Sequence, residues 1–342
     1  MRGPAVVWTE GRLGMSDTDG KHGSHDANGP SGMFANRLRK GDKRFRKWAR
    51  TQGLTAFRVY DRDIPEYPFA IDVYGDCVHV VEYPRRRAIA SGAADAQREE
   101  VLAEVAQVMA VPPERIFVKT HTPQPWGRSQ YGRVGQDSGR LVVEEQGLKF
   151  WVNLGDYLDT GLFMDHRNTR ARVREEARGK RFLNLFAYTG AFTVYAAAGG
   201  AASTMTVDLS NTYLDWAEDN LELNGLADAR HVLVRADAKA WVEAQAGGPE
   251  RYDLVVCDPP SFSTSKKMSG SFNVQRDHPR LLAAIRALLA PGGVLYFSNN
   301  FLGFQLDPKA TRGMEVEEIT PRSIPEDFQR KEIHRCWRMV AP

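Results

Sequence analysis

Apolar residues in the second half of the chain form strand-like runs separated by segments with a helical period. The runs predict strands over 182–186, 204–208, 231–235, 254–258 and 294–298, because short apolar runs bounded by polar turns are typical of buried strands. The intervening segments predict helices over 193–198, 211–224, 238–245 and 279–289. Asn224-Gly225 and Pro291-Gly292-Gly293 are expected to end two of these helices. The alternation predicts a Rossmann-like α/β fold, with a parallel sheet covered by helices on both faces.

The first half of the chain has short apolar runs that do not alternate with helices. It predicts strands over 54–60, 69–74, 77–83 and 116–120, a helix around 101–109, and a hairpin of 140–145 and 148–153 about Gln146-Gly147. We therefore expect a small α+β accessory domain over 33–155, ahead of an α/β domain over 156–342. Residues 16–32 are rich in Gly, Ser, Asp and Asn, so 1–32 are predicted to form a disordered tail. A mobile loop is expected over 122–137.

Basic residues are clustered along the chain, although the net charge of the 342 residues is only +3. Between residues 33 and 53, eight Arg and Lys residues stand against the single acid Asp42, and apolar residues recur at helical spacing. This pattern predicts an amphipathic helix with a basic outer face. A second basic cluster spans 167–181. A solvated surface would explain either cluster alone, but two of them favour a surface that binds phosphate groups, as in nucleic acids.

Composition excludes several classes of protein. Hydrophobic residues make up 42% and charged residues 26% of the chain, as in soluble globular proteins. No apolar run is long enough for a membrane span or a secretory signal. Cys77, Cys257 and Cys336 lie far apart and form no CxxC motif, so neither a disulfide framework nor a structural zinc site is expected. We expect a cytoplasmic protein without a bound metal.

Acidic residues stand at the predicted ends of three strands, namely Asp208, Asp237 and Asp258. The first strand leads into a glycine-containing turn, Phe186-Ala187-Tyr188-Thr189-Gly190, ahead of a helix. In an open α/β sheet, ligands bind at the carboxyl ends of the strands. Gly190 would let a ligand approach the backbone, Asp208 would accept hydrogen bonds from ribose hydroxyls, and Asp237 would accept from an adenine amino group. The alternative for each acid is a helix N-cap.

The turn disfavours two classes of nucleotide-binding enzyme, because it has neither the GxGxxG motif of nicotinamide dehydrogenases nor the GxxxxGK[ST] motif of P-loop enzymes. A nucleoside without a phosphate chain remains, and S-adenosylmethionine is the predicted ligand. The next segment, Asp258-Pro259-Pro260-Ser261-Phe262, would hold a planar base. Its prolines would stiffen the backbone, so that the Asp258 carboxylate and the Pro259 carbonyl face the base while Phe262 stacks on it. Such a segment suits an enzyme that methylates a nucleobase nitrogen, and an ordinary turn is the alternative.

The same segments resemble a known family. Residues 184–190, Asp208 with Ser210, and 258–262 are similar to the class I methyltransferases that modify 23S ribosomal RNA. The segments 33–38, 157–167, 274–278, 297–300 and 333–337 resemble more closely the members that methylate guanine N7. The resemblance covers the chain from about residue 33 to its end. It implies an S-adenosylmethionine-dependent enzyme that methylates guanine N7 in helix 74 of 23S rRNA.

The resemblance also implies the residues of the site. Those expected around the methyl donor are Phe186, Ala187, Tyr188, Thr189, Gly190, Asp208, Leu209, Asp237, Ala238 and Asp258, with Asp165 and Arg167 entering from the segment before the first strand. Those expected around the target base are Asp258, Pro259, Phe262, Asn299 and Asn300. Related enzymes that methylate cytosine C5 need a cysteine after the last core strand, where this chain has Ser298-Asn299-Asn300. Cys257 is therefore expected to serve packing, and covalent chemistry is not expected.

The expected partner is 23S rRNA or a precursor of the large ribosomal subunit, with no membrane and no obligatory protein partner. The basic N-terminal helix and the loop that carries Lys266 and Lys267 are the segments expected to hold RNA. Two alternatives stay open. An enzyme of the same fold could methylate the N2 amine of guanine, which analysis of the modified atom would reveal. A non-catalytic RNA-binding factor in ribosome assembly would differ by failing to bind the methyl donor.

Overall fold

The structure is a computed structural model, which describes residues 30–83, 93–120, 139–157, 159–264, 270–328 and 333–342. Most of the predicted tail 1–32, the predicted loop 122–137, and Lys266 with Lys267 lie outside the described residues. Within these ranges, no helix combines the length and the apolar character that a membrane span requires.

A four-stranded sheet forms the first part of the chain, in the order β1 (Ala56–Asp61), β2 (Phe69–Tyr74), β3 (Cys77–Glu82) and β4 (Ile116–Thr120). The first three strands are antiparallel neighbours, and β4 runs parallel to β3. Helices α1 (Pro30–Gln52) and α2 (Ala93–Met109) cover one face, where side chains such as Phe34, Leu38, Ile71 and Val80 are fully buried. The predicted strands and helices are confirmed, and α1 begins at Pro30, inside the predicted tail.

The outer face of α1 is basic, as predicted. Its apolar positions Phe34, Leu38, Phe45 and Ala49 are at most 1% exposed and pack in the core. The exposed residues of the opposite face include Lys40, Lys43, Arg44, Lys47 and Arg50. At 100° per residue these five positions fall on one side of the helix. The helix is therefore held by its apolar stripe and presents a row of cations to solvent.

The hairpin predicted about Gln146-Gly147 is confirmed as β5 (Arg140–Glu145) and β6 (Leu148–Asn153). Gln146 and Gly147 adopt φ of 54° and 80°, the left-handed conformation that two-residue hairpin turns require. The apolar side of the hairpin, which includes Phe150, packs in one cluster with Tyr195 and Leu221. The hairpin therefore packs against the α/β part of the chain.

A seven-stranded sheet forms the second part, in the order β14 (Glu315–Glu318), β15 (Arg335–Val340), β13 (Leu289–Asn299), β10 (Tyr252–Cys257), β7 (Arg181–Leu185), β8 (Ser203–Asp208) and β9 (His231–Arg235). The five strands from β13 to β9 are parallel, and β15 is antiparallel to both its neighbours. All residues of the edge strand β14 are exposed. A short pair, β11 (Phe262–Ser263) and β12 (Phe272–Asn273), lies outside this sheet.

Helices connect these strands, namely α3 (Arg167–Glu176), α4 (Ala191–Ala198), α5 (Asn211–Leu223), α6 (Ala238–Gln245), α7 (Val274–Leu288) and the short α8 (Thr320–Ser323). The predicted α/β fold is confirmed. Helix α7 starts at Val274 rather than at 279, because the Asn273 side chain caps it by accepting the Arg276 N–H at 3.0 Å. It ends at Leu288, so Pro291-Gly292-Gly293 lie inside β13 rather than in a turn, where the pairing with β10 shifts register.

The structure contradicts the predicted basic surface over 167–181 at two positions. Arg167 and Arg170 on α3 are each 1% exposed. Glu145 of the hairpin accepts from Arg167 Nε at 3.0 Å and from Arg170 Nη2 at 2.6 Å, and Asp327 accepts from Arg167 Nη1 at 2.9 Å. Burial alone lowers the pKa of Arg167, but the carboxylates of Asp327 and Glu145 raise it above its ordinary value. Both arginines therefore form buried ion pairs that connect distant segments of the chain.

Candidate active site

The order of the strands places a crevice at one edge of the large sheet. The chain proceeds from β7 outward to β8 and β9, then returns to β10 and β13 on the other side of β7. The carboxyl ends of β7 and β10 therefore flank the point where the strand order reverses, which is where open α/β sheets bind ligands. A cleft of about 980 Å³ lies there, between these strand ends and the face of the small sheet that α1 and α2 leave uncovered.

The turn after β7 is held in an unusual backbone conformation. Phe186 and Tyr188 adopt positive φ of 56° and 51°, which residues with a Cβ rarely do and which costs about 1–2 kcal/mol each. Four of the predicted donor-binding residues in this turn line the cleft, namely Phe186, Ala187, Tyr188 and Thr189. Gly190 does not line it. A Cβ at Gly190 would lie 2.6 Å from the Ala217 Cβ, so glycine is needed there for packing on α5 rather than for the approach of a ligand.

The Asp208 carboxylate lies at the end of β8 and lines the cleft together with Leu209. Its Oδ2 accepts the Tyr188 N–H at 2.9 Å and its Oδ1 accepts the Ser210 N–H at 2.9 Å. Burial raises the pKa of Asp208 above the ordinary value, although these backbone donors lower it. Ser210 is the N-cap of α5, so the alternative role of a helix cap does not describe Asp208.

Asp237 caps a helix and also faces the cleft. Its Oδ1 accepts the Lys239 N–H at 3.1 Å and caps α6. Asp237 and Ala238 also line the cleft. Because a carboxylate has several lone pairs, the cap leaves it free to accept from a ligand as well.

The segment after β10 lines the cleft with Asp258, Pro259 and Phe262, as predicted. Asp258 Oδ1 accepts the Ser298 hydroxyl of the neighbouring strand at 2.6 Å, which fixes the carboxylate at the strand end. Phe262 belongs to β11, which pairs with β12 and so braces the segment.

The two asparagines after β13 separate in the structure. Asn300 lines the cleft, and its Oδ1 accepts the Ser261 hydroxyl at 2.6 Å. Asn299 is 1% exposed and lines a smaller neighbouring cavity, and its Oδ1 accepts the Phe301 N–H at 3.1 Å. The structure therefore brings Asn300, but not Asn299, to the other predicted site residues.

Asp165 and Arg167 also have different positions. Asp165 lines the cleft. Burial alone would raise its pKa, but the neighbouring His166 and His334 lower it well below the usual range, so the group is ionised. Arg167 does not reach the cleft, because Glu145, Asp327 and the Ala56 carbonyl engage its guanidinium.

Sequence reasoning gave no role to two histidines beside the cleft, His166 and His334. Their rings stack with centroids 4.1 Å apart and planes 15° apart. His334 Nδ1 lies 2.8 Å from Asp165 Oδ2, and its Nε2 lies 2.8 Å from the Ser323 hydroxyl. His166 Nε2 lies 3.5 Å from Asp258 Oδ2. Both histidines lie within segments that carry the family resemblance, but their distance along the chain hid the pair.

Asp165, His166 and His334 could in principle hold a metal ion, since one potential ligand atom of each lies within 4.8 Å of the others. Both ring nitrogens of His334 are, however, already hydrogen-bonded to protein groups. The hydrogen bonds of the set therefore join His334 to Ser323 and Asp165, while His166 Nε2 lies 3.5 Å from Asp258 Oδ2.

The opposite wall of the cleft is the polar face of the small sheet, with His79 and Lys119 among its residues. Burial lowers the pKa of Lys119 to about 8 and raises that of Asp159 to about 6. The Lys119 ammonium donates to the Tyr157 carbonyl. This wall carries charge and hydrogen-bonding groups within reach of a second ligand.

The residues at the strand ends fit S-adenosylmethionine. The half-buried Asp208 oxygens each receive one backbone N–H and retain lone pairs for ribose hydroxyls. Asp237 supplies a further acceptor at the next strand end. The cleft volume of about 980 Å³ lies at the upper end of the range for small-molecule sites, which leaves space for a second ligand beside the first.

Comparisons with known proteins agree with S-adenosylmethionine as the ligand. A family model described as S-adenosylmethionine-dependent methyltransferase matches residues 98–321. The chain is 53% identical over 306 residues to ribosomal RNA large subunit methyltransferase K of Neisseria meningitidis, covering 90% of this chain and 86% of that protein. It is 48% identical over 316 residues to ribosomal RNA large subunit methyltransferase K/L of Methylococcus capsulatus. That match covers 91% of this chain but 43% of the relative, so the chain spans less than half the length of the K/L protein.

Two solved structures have a similar fold. SMU.776, assigned as a methyltransferase and complexed with SAH, matches with a TM-score of 0.73 at 24% identity, over 91% of this chain and 82% of that one. The complex of aTrm5 with tRNALeu matches with a TM-score of 0.52 at 14% identity, over 83% and 75% of the two chains. At these identities the likeness shows the fold alone.

Proposed function

The chain belongs to the S-adenosylmethionine-dependent methyltransferases, the family that includes ribosomal RNA large subunit methyltransferase K, and we propose that it methylates N7 of a guanine in helix 74 of 23S rRNA. S-adenosylmethionine is its methyl donor. The relatives named above support ribosomal RNA of the large subunit as the substrate. The choice of N7 and of helix 74 rests on the resemblance of the segments around 157–167, 274–278 and 297–300 to guanine-N7 methyltransferases.

One observation carries the proposal. Asp258, Pro259 and Phe262 line the same cleft as Asp208 and the turn after β7, at the point where the strand order reverses. A base seated on the first group would therefore lie beside a donor held by the second group. Adjacent binding of this kind converts methyl transfer into a reaction between aligned neighbours, which is the main requirement for a direct displacement.

The chemistry needs alignment rather than a base. S-adenosylmethionine supplies a methyl group bound to a positively charged sulfur. Guanine N7 carries an in-plane lone pair and no proton at neutral pH, so no residue has to remove one. Asp258 and the Pro259 carbonyl would accept from the N1–H and amino group of the guanine. Methylation makes the base cationic and its N1–H more acidic, so the hydrogen bond to Asp258 strengthens as the reaction proceeds.

The target base has to leave its helix to reach the cleft. Enzymes that act on paired bases extrude the nucleotide and stack it in a pocket. Phe262 and Asn300 line the cleft, where Phe262 would stack on the base and Asn300 would contact its other edge. Asn299 supports this wall indirectly through its bond to the Phe301 N–H.

The proposal is tested with a helix-74 RNA fragment and its analogue in which carbon replaces N7 of the target guanine. We expect single-turnover methyl transfer to the natural fragment, with 7-methylguanine found by mass spectrometry after digestion, and no transfer to the analogue. Methylation of the analogue, or a methyl group on N2, would refute N7 as the target. Failure to bind S-adenosylmethionine would favour a non-catalytic RNA-binding factor.

We also propose that residues 33–155 act as an accessory domain that holds RNA, with 156–342 as the methyltransferase domain. Replacing Lys40, Lys43 and Lys47 by Ala should weaken RNA binding and leave donor binding unchanged, because these residues are exposed on the basic side of α1. For every phosphate that a lysine no longer neutralises, the negative slope of log K against log salt should become shallower by about 0.7–0.9. Binding titrations across a salt series measure this slope.

The control for the lysine variant removes exposed cations elsewhere. Arg230 and Arg280 are 63% and 73% exposed at their side chains and each pairs with an acid. Their replacement by Ala should leave the slope unchanged. An unchanged slope in the lysine variant itself would mean that this face of α1 is only solvated.

Cys257 and Phe262 should differ sharply in their importance. The Cys257 thiol is fully buried, and burial raises its pKa well above the ordinary value, so it is no nucleophile. Cys257→Ala should retain methyl transfer at a packing cost of about 1–2 kcal/mol. Phe262→Ala should lose the stacking of the base, about 1–3 kcal/mol, and slow single-turnover transfer. Loss of activity in a correctly folded Cys257→Ala protein would contradict the direct displacement.

A further inference from the structure

His166 lies between two carboxylates at the inner end of the cleft. Its Nε2 is 3.5 Å from Asp258 Oδ2 and 3.8 Å from Asp165 Oδ2. The residue is 5% exposed, and its Nδ1 has no hydrogen-bond partner among the described residues. It packs face to face on His334 and edge-on to Phe192, at 4.1 Å and 5.9 Å between ring centroids.

These surroundings select one tautomer of His166. Burial and the neighbouring His334 lower the pKa of His166 and outweigh Asp258 and Asp165, which raise it, so the neutral ring carries a single N–H. A proton on Nδ1 would be buried without an acceptor, while the Nε2 lone pair would face two carboxylates. A proton on Nε2 avoids both costs, because the N–H then faces the oxygens of Asp258 and Asp165.

Asp165, the second carboxylate that faces this N–H, is held in place by His334. Asp165 Oδ2 lies 2.8 Å from His334 Nδ1, and His334 Nε2 lies 2.8 Å from the Ser323 hydroxyl. His334 is 2% exposed and Ser323 is fully buried. The stacked His334 ring therefore holds the plane of His166 in place. Asp258 Oδ1 is held separately by the Ser298 hydroxyl at 2.6 Å, so His166 contacts the other oxygen.

We propose, given the function proposed above, that His166 is a positioning residue that orients the Asp258 carboxylate toward the target guanine through its Nε2–H. Ser298 and His166 together fix both oxygens of Asp258 while leaving lone pairs that face the cleft. The Nε2 to Oδ2 distance of 3.5 Å is longer than a normal hydrogen bond, and we expect it to shorten when the base binds, because catalytic hydrogen bonds tighten in the bound complex. His166 itself lines the cleft, and the role proposed for it is exerted through Asp258.

The test is a cycle of variants measured by single-turnover transfer of labelled methyl groups to the helix-74 fragment. His166→Phe keeps a stacking ring without the N–H and should be about tenfold slower, since it removes a hydrogen bond to a charged group. His166→Gln places an amide nitrogen the same number of bonds from Cβ as Nε2 and should recover most of the rate. In an Asp258→Asn background, His166→Phe should have almost no further effect, because residues that act as one unit are not additive. Donor affinity should be unchanged in both His166 variants.

Several results would overturn the proposal. The first is a wild-type rate in His166→Phe, and the second is a His166→Gln protein as slow as His166→Phe. The third is a double variant in which His166→Phe slows the Asp258→Asn protein by the same factor as it slows the wild type. The measured rate counts any methyl group transferred, and the modified atom is identified separately by digestion and mass spectrometry. A wild-type product other than 7-methylguanine would therefore refute the proposed function without deciding the role of His166.

Discussion

Asp208→Ala should weaken the binding of S-adenosylmethionine by about a hundredfold or more. We assign the Asp208 carboxylate to the ribose hydroxyls, and two hydrogen bonds to a charged acceptor contribute about 1.5–3 kcal/mol each. Because burial raises the pKa of Asp208, donor affinity in the wild type should also fall on acidification at a higher pH than an ordinary aspartate would give. Isothermal titration calorimetry measures both effects.

A matched control separates binding from local folding. Asp215 is an exposed aspartate on α5, the helix that follows Asp208, and Asp215→Ala should bind the donor normally. Asp208 also accepts two backbone N–H groups, so the thermal unfolding of the Asp208→Ala protein has to be measured beside its affinity. Wild-type affinity in a folded Asp208→Ala protein would show that this carboxylate does not hold the donor.

Glu145→Ala should destabilise the fold by about 3–5 kcal/mol, the cost of removing one partner from a buried ion pair. Glu145 is fully buried and accepts from Arg167 and Arg170, and the Tyr195 hydroxyl donates to it at 2.9 Å. Its loss would leave Asp327 as the sole carboxylate paired with Arg167 among the described residues. Urea unfolding followed by fluorescence gives the free energy of unfolding.

The neighbouring Glu144 provides the control, because it is exposed on the other side of the same strand. Glu144→Ala should change the free energy of unfolding by no more than about 0.5 kcal/mol. Equal destabilisation by the two variants would mean that the strand, and not the buried charge, matters. A small effect of Glu145→Ala alone would mean that the two arginines find other partners or water.

The fold could be predicted largely because hydrophobic periodicity is a local signal. The strands from β1 to β10 and the hairpin about Gln146-Gly147 follow directly from short apolar runs and turn residues. The antiparallel edge of the large sheet was not predicted. Strand β14 is polar and wholly exposed, so it has no apolar run to reveal it. Helix α3 was missed because its arginine-rich sequence reads as a charged surface.

Site residues could be predicted where they lie together in one segment of the sequence. Contacts between residues from distant segments could not be predicted. Asp208 is the last residue of β8, Asp258 directly follows β10 and Phe262 lies four residues further on, and all three line the cleft. The pairing of His166 with His334 depends on bringing together two ends of the α/β part, which no local pattern encodes. Arg167 was predicted to lie near the methyl donor, but it binds buried acceptors on other elements of the chain, which the sequence does not reveal.

The exposed strand β14 has a consequence for the behaviour of the protein at high concentration. An edge strand presents unpaired backbone groups on which the strand of another molecule can add. Here Glu315, Glu317 and Glu318 stand along that edge, and Arg322 and Arg335 pair with Glu317 and Glu318, so a second copy meeting it would bring together carboxylates that are only partly neutralised. Arg335 lowers the pKa of Glu318 through a hydrogen bond, so this charge persists in mild acid. We therefore expect these edges to pair poorly with one another near neutral pH, and to pair more readily as the glutamates gain protons.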